Sequence, residues 1–389
     1  DMDGRVSLID LATLFETIYG ATTTTDSTAA AAVDDNDKTS KNKKKGVKTF
    51  PQPLMALAGS LQLVPAVAGG RRDVTDAALP PDAKWNIGVP GDDHTLRRVV
   101  IDEGKLTIVG IGRSADASSY FLPELGIVLD AGLNVKSLRP RTVLLSHGHR
   151  DHISALPVHA ASKAKIFCPR PIESLVERFL LAEAQLNYGD VSQTDEETIA
   201  ALGAYDINGV TDGDQVLLPR DAYQGSPTPI GVEVFNAPHK EGIPAVSYGL
   251  YRVKNRLKAE YSSLPKAEIG KLIRQDKDVQ LTEPYHEGVL FYTGDTTIRL
   301  LKERWEDILT KYSYVIHEVT FLGRPSTELD ATSAAKGHTH YAQLHPWICA
   351  FQETTFILVH WSLRYSRDEI VRFFEQEYGG VPENVVLWI

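Results

Sequence analysis

Ten short, β-rich apolar runs recur between about residue 105 and the C terminus, and six of them stop at a histidine, an acid or a polar cluster. The runs are "KLTIVGIG", "GIVLDAG", "TVLLSH", "AKIFCP", "GVEVFNA", "VSYGLYRV", "GVLFYTG", "YSYVIHEV", "TFILVHW" and "NVVLWI". Branched and aromatic residues in runs of this length fit strands. Between them, 171–186, 296–311, 342–352 and 366–378 carry apolar residues three and four apart, which fits helices packed by one face. Strands alternating with helices predict an α/β fold of two sheets covered by helices. The terminating residues are Asp130, Ser146 to His152, His239, Asp295, Glu318 and His360. Strand ends that meet at one rim are where such a fold builds a site.

The densest of these ends is "SHGHRDH", residues 146–152, which holds three of the chain's twelve histidines and an aspartate. So many polar side chains after an apolar strand are costly unless something binds them. His147 and His149 are two apart, so an extended strand end aims both the same way. Asp151 and His152 follow on the turn and can face a second position. Imidazole and carboxylate are usual zinc ligands. Two such pairs side by side suggest two metals that share a bridging carboxylate and a water. "FYTGDTT" offers Asp295 as the bridge, "FNAPH" offers His239 and "ILVHWS" offers His360. The alternative is a polar surface turn, and each of the last three residues, taken singly, is more often structural. Their shared placement at strand ends favours the metal site.

Composition removes other classes. The net charge is −10, the wrong sign for a non-specific nucleic-acid binder, so any nucleic acid must be gripped by a local patch. The two cysteines, Cys168 and Cys349, are far apart; they give no disulfide framework and fit a reducing compartment. No apolar run is long enough to span a bilayer, and the start does not read as a signal peptide. No membrane partner is expected, and the compartment stays open.

"SHGHRDH" looks like the signature of the metallo-β-lactamase superfamily, a four-layer αββα sandwich. Within it the chain is most similar to ribonuclease Z, the tRNA 3′-processing endonuclease, especially its short plant-like form. The likeness covers roughly 100–389. "SYFLPELGIVLDAG" resembles the strand pair before the histidine motif, and "LKAEYSSLPKAEIGKL" a segment of the plant-like enzymes. "HEVTF", "GHTHYAQL" and "VHWSLRY" resemble three further motifs of the family. The resemblance implies that His147, His149, His239 and Asp295 hold one zinc, and Asp151, His152, Asp295 and His360 a second. It makes Glu318 and His338 a catalytic pair, with precursor tRNA as substrate and a homodimer as the assembly. Two departures stand out. The region of the family's glycine- and proline-rich docking arm is charged and helix-like here, and Trp361 stands where phenylalanine is common.

On this reading Asp151 ligates metal and orients the attacking water. His338, polarised by Glu318, protonates the leaving ribose oxygen. Glu318 as a plain surface carboxylate is the alternative, and His340 competes with His338 for the acid role. Ser362 and Arg364 are candidates for phosphate contact, against an Arg in a structural ion pair. Lys254, Arg256 and Lys258 either track tRNA phosphates or form a solvated helix face. Asp130 is expected to brace the site through hydrogen bonds.

The N-terminal part reads differently. "DMDGRVSLIDL" resembles the second half of an EF-hand loop, with Asp1, Asp3, Gly4, Val6 and Asp10 at loop positions and "LATLFETIY" as the exit helix. Residues 1–20 are then an EF-hand remnant that holds Ca2+ at Asp1 to Asp10 only with an upstream half; a capped helix is the alternative. Residues 21–84 read as a flexible low-complexity extension, and 85–389 as the hydrolase domain.

Overall fold

The computed structural model describes residues 96–389, apart from 134–138, 189–193, 203 and 276–278. The EF-hand remnant with its Ca2+ ligands, and the extension over 21–84, lie outside the described residues.

Two seven-stranded sheets follow the chain in order. The first runs β1 (Arg97–Ile101), β2 (Leu106–Arg113), β3 (Ala117–Leu122), β4 (Ile127–Leu129), β5 (Thr142–Leu144), β6 (Lys165–Pro169) and β7 (Ile207–Val210). The second runs β8 (Gln215–Leu217), β9 (Ile230–Asn236), β10 (Val246–Leu257), β11 (Thr282–Tyr292), β12 (Tyr314–Glu318), β13 (Thr355–Val359) and β14 (Val385–Leu387). In each sheet the first four strands pair antiparallel and the last four parallel. Parallel neighbours need long crossovers, which helices supply. Helices α1 (Arg150–Ile153) and α2 (Leu156–Ala161) follow β5, and α3 (Glu173–Tyr188) and α4 (Asp195–Leu202) follow β6. Helix α5 (Lys266–Gln275) lies between β10 and β11, and α6 (Arg299–Leu309) follows β11. Helices α7 (Thr327–Lys336) and α8 (Tyr341–Ala350) follow β12, and α9 (Arg367–Tyr378) follows β13.

Side-chain alternation along the strands sets the layers. Leu129, Leu144 and Phe167 join Val232, Val234, Tyr248, Tyr292, Ile316 and Ile357 in one core between the sheets. Their neighbours Val128, Val143, Ile166 and Cys168 point the other way and pack with Ile172, Val176 and Leu180 beside and along α3. On the far side of the second sheet, Arg304 of α6 lies over the Phe235 ring, and Trp361 meets Phe374 of α9 edge-on. Helix, sheet, sheet, helix is the αββα order that the resemblance implies.

All ten runs are strands, and the four helical stretches become α3, α6, α8 and α9. The arm region does carry a charged helix, α5, but the helix-face alternative for its basic group needs correction. Lys254 and Arg256 sit on strand β10, bonded to Glu287 and Glu283 of β11 at 2.7 and 2.8 Å, and the helix begins only at Lys266. Cross-strand pairing fixes the β conformation: the register puts Lys254 opposite Tyr285 and Arg256 opposite Glu283. Cys168 is buried, Cys349 half-buried, and both are free thiols. No helix of the described residues is long and apolar enough to cross a membrane.

Candidate metal centre

The site forms at strand ends of both sheets, mostly those of the parallel strands. From the first sheet come Asp130 after β4 and the loop from Ser146 to His149 after β5, with Asp151 and His152 on α1. From the second come His239 after β9, Asp295 after β11, Glu318 at the end of β12 and His360 after β13. Asp130 and His360 sit at positive φ, 57° and 65°. A left-handed backbone of this kind costs about 1–2 kcal/mol for a residue other than glycine. Both bends turn a side chain into the rim.

His147, His149, His239 and Asp295 each bring a donor atom within 4.8 Å of the others, and so do Asp151, His152 and His360. Asp295 lies between the groups. Its Oδ2 is 3.6 Å from His147 Nε2, and its Oδ1 is 3.4 Å from His152 Nε2 and 3.3 Å from His360 Nε2. Asp151 Oδ2 is 3.3 Å from His360 Nε2 and accepts the Ala115 N–H at 2.8 Å. Histidine Nδ1 of His149 and Nε2 of His239 are 3.4 Å apart. The seven residues with ligand chemistry in the sequence therefore converge.

The tautomers fit a cation. His152 Nδ1 donates to Asp130 at 2.6 Å, and His239 Nδ1 to the Gly337 carbonyl at 2.7 Å. The Ser146 hydroxyl donates to Asp130 and so accepts from His147 Nδ1 at 3.0 Å. The Thr320 hydroxyl donates to Glu318 and so accepts from His360 Nδ1 at 2.9 Å. Four imidazoles thus have their proton fixed at Nδ1, with bare Nε2 lone pairs turned inward, as in metal centres with oriented ligands. His147 Nε2 is buried without a hydrogen-bond partner among the described residues. Such a set of lone pairs and carboxylates is poorly stable without a positive ion among them. Burial works against ionisation of Asp295; positive charge at the His360 and His152 positions holds its carboxyl well below the usual range, and with those rings neutral a bound cation would supply that charge. Burial likewise keeps His147 neutral, the form that ligates.

Asp130 is the brace. It accepts from Ser146 N at 2.6 Å, Ser146 Oγ at 2.7 Å, His152 Nδ1 at 2.6 Å and Tyr292 OH at 2.5 Å. Glu318 is a second buried hub. Its Oε1 accepts from His338 Nδ1 at 2.9 Å, Thr296 N at 3.1 Å and Thr339 N at 3.2 Å, and its Oε2 from Thr320 N at 3.1 Å and Thr320 Oγ1 at 2.8 Å. His338 Nδ1 is also 3.9 Å from Asp295. Burial pulls the His338 pKa down, but the Glu318 charge and hydrogen bond, with Asp295, raise it to about 9. His340 is buried at the start of α8, with Nε2 bonded to Asp330, and His317 is buried with Nδ1 on the Glu318 carbonyl.

The remaining candidates separate. Ser362 and Arg364 stand on the loop after His360; Arg364 bonds Ser362 Oγ at 3.2 Å and lies over Phe321. Lys254 and Arg256 are about ten residues along β10 from Val246, which bonds Ser146, so Arg256 lies roughly 33 Å away at strand rise. Trp361 is fully buried and donates to the Trp388 carbonyl, so it walls the core rather than the cavity. Thr320, Tyr292 and the Gly337 carbonyl were not singled out by sequence, and Ser146 only as the first residue of the polar cluster. Of the first three only Thr320, two residues after Glu318 at a strand end, left a signal there.

No family model matches the chain. It is 30% identical over 286 residues to "tRNase Z TRZ2, chloroplastic" of Arabidopsis thaliana, covering 71% of the chain and 73% of that protein. It is 24% identical over 271 residues to "tRNase Z TRZ1" of the same plant, covering 68% and 88%. The solved metallo-beta-lactamase fold protein YhfI of Bacillus subtilis aligns with TM-score 0.41 at 11% identity, over 71% of this chain and 92% of that one.

Proposed function

The chain belongs to the tRNase Z family, and from that premise we propose that it is a zinc-dependent endonuclease that removes the 3′ trailer from precursor tRNA and leaves a 3′-hydroxyl. The observation that carries the reading is the Glu318–His338 pair, bonded at 2.9 Å and set against the ligand cluster. Hydrolysis of an activated ester needs no such acid; an unactivated ribose leaving group does.

His147, His149, His239 and Asp295 would hold one zinc, and Asp151, His152, Asp295 and His360 the other. When bound, the two ions supply Lewis acidity, which brings the pKa of a water toward neutrality and offsets charge on the phosphate. Asp151, anchored by Ala115 N–H, orients that water. Glu318 accepts the Nδ1–H hydrogen bond of the doubly protonated His338 ring; donation of its Nε2–H to the departing ribose oxygen then leaves a neutral imidazole still held by Nδ1–H. The raised His338 pKa keeps that proton in place at neutral pH. Ser362 and Arg364 contact phosphate at the rim, while Lys254 and Arg256 reach only a distant part of a large substrate. The catalytic unit is 85–389, and the assembly is a homodimer.

A trailer-bearing precursor tRNA and a nitrophenyl phosphodiester, given to the zinc-loaded protein side by side, test this. We expect cleavage of the tRNA at the trailer junction with a 5′-phosphate on the released piece. Turnover of the small ester with no cleavage of the tRNA would instead favour a small-substrate hydrolase.

A further inference from the structure

Most cations of known partner in this acidic chain are tied to carboxylates: Arg252 to Asp102, Lys254 to Glu287, Arg304 to Asp212, Lys311 to Glu233 and Arg324 to Glu377. Among the exposed cations beside the site that are not, Arg150 and Lys240 included, two share one aromatic ring. Lys336 ends α7, two residues before His338, and Arg364 follows His360 by four. Among the described residues no carboxylate lies within ion-pair distance of either. Both instead rest on one ring: Lys336 Nζ is 5.9 Å and Arg364 Cζ 5.6 Å from the Phe321 centroid.

Phe321 is well fixed. Its carbonyl accepts the Tyr341 N–H at 3.0 Å, its ring is 4% exposed, and it meets the His338 ring at 6.2 Å. A cation whose stem lies on a fixed aromatic loses little further freedom on binding an anion. Helix capping does not need Lys336. Gly337 N–H already bonds the Ala334 and Ser333 carbonyls, and His338 N–H bonds Ser333 again.

We propose that Lys336, which shares the Phe321 ring with Arg364, is a substrate-binding residue that grips a backbone phosphate on the retained, tRNA side of the scissile bond. The side follows from chemistry. The leaving oxygen protonated by His338 stays on the tRNA, so groups packed beside His338 face the nucleotide that keeps it. This inference rests on the proposed tRNA reaction.

The test measures affinity of the zinc-loaded protein for two product RNAs over a range of salt: the tRNA ending in a 3′-hydroxyl, and the trailer oligonucleotide with its 5′-phosphate. Lys336→Met keeps the stem over Phe321 and removes the charge. We expect it to weaken tRNA binding about five- to tenfold and to flatten the salt slope by about 1, with trailer affinity and melting temperature unchanged. Lys336→Arg should restore the affinity and slope. On precursor tRNA, KM should rise while kcat holds. Unchanged tRNA affinity and slope in Lys336→Met would overturn the inference while leaving the function intact, as would weakening confined to the trailer. A wild-type protein that neither binds nor cleaves precursor tRNA would overturn both.

Discussion

Glu318 holds more of the site than a single helper role requires. Besides His338 it anchors the loops after β11 and β12 through Thr296 and Thr320, and Thr320 in turn fixes the His360 ring. The two members of the Glu318–His338 pair should therefore separate on mutation. His338→Ala removes the acid and leaves the ligands' partners intact. It should slow precursor tRNA cleavage about a hundredfold or more, with metal content unchanged and a nitrophenyl diester affected much less. Glu318→Ala orphans buried donors at about 1–3 kcal/mol each and frees the Thr320–His360 contact. It should lower metal content and melting temperature as well as activity on both substrates. Equal metal content in the two variants, read by elemental analysis, would contradict this coupling. At this scale the seven candidate ligands were legible because each follows an apolar strand. Their supports were not: a hydroxyl such as Ser146 or a carbonyl such as Gly337 gains its role from a neighbour distant in sequence.

Helix α7 shows how an element can serve a site through its end alone. Only Ser333 of it is buried, so it has no apolar stripe to read; its signals are the caps, Ser326 accepting from Leu329 N and Gly337 at φ 78°. The same turn closes α9 at Gly379, φ 70°. The two glycines differ in what lies behind them. A Cβ at Gly337 would fall 2.3 Å from Lys240 N and 2.8 Å from His239 Nδ1, whereas at Gly379 nothing lies within 4 Å. Gly379→Ala should cost about 1–2 kcal/mol of backbone strain and leave metal binding alone. Gly337→Ala should cost more and weaken zinc retention, because the ligand-bearing loop must move. A chelator competition in which the two variants lose metal alike would count against the coupling. The strands that escaped sequence reading have equally local reasons. Strand β1, "RRVVI", opens on two arginines; β7 contains a glycine; β8 has three residues; β3, "ASSYFL", carries two serines and was legible only through the family resemblance.

At the scale of the molecule, acid stability carries a term unrelated to the metal. His159 on α2 is 2% exposed, neither ring nitrogen has a partner among the described residues, and burial pushes its pKa down to about 4. Above pH 6.5 it is neutral in both the folded and unfolded chain and contributes no pH dependence. As pH falls below 6.5 the unfolded chain takes up the proton first, so stability drops until about pH 4. The loss reaches about 3 kcal/mol at most. His159→Leu should remove that limb: between pH 7 and 5 its melting temperature should fall less than that of the wild type. Parallel curves would mean that His159 is protonated in the folded protein.

Metal content tests the central claim, a two-zinc cluster bridged by Asp295, most directly. Elemental analysis of the purified protein should give two zinc-class ions per chain. Asp295→Ala should retain fewer than one, because its carboxylate faces His147 on one side and His152 and His360 on the other. A wild-type protein with no tightly held metal, or an Asp295→Ala variant with undiminished metal, would contradict it.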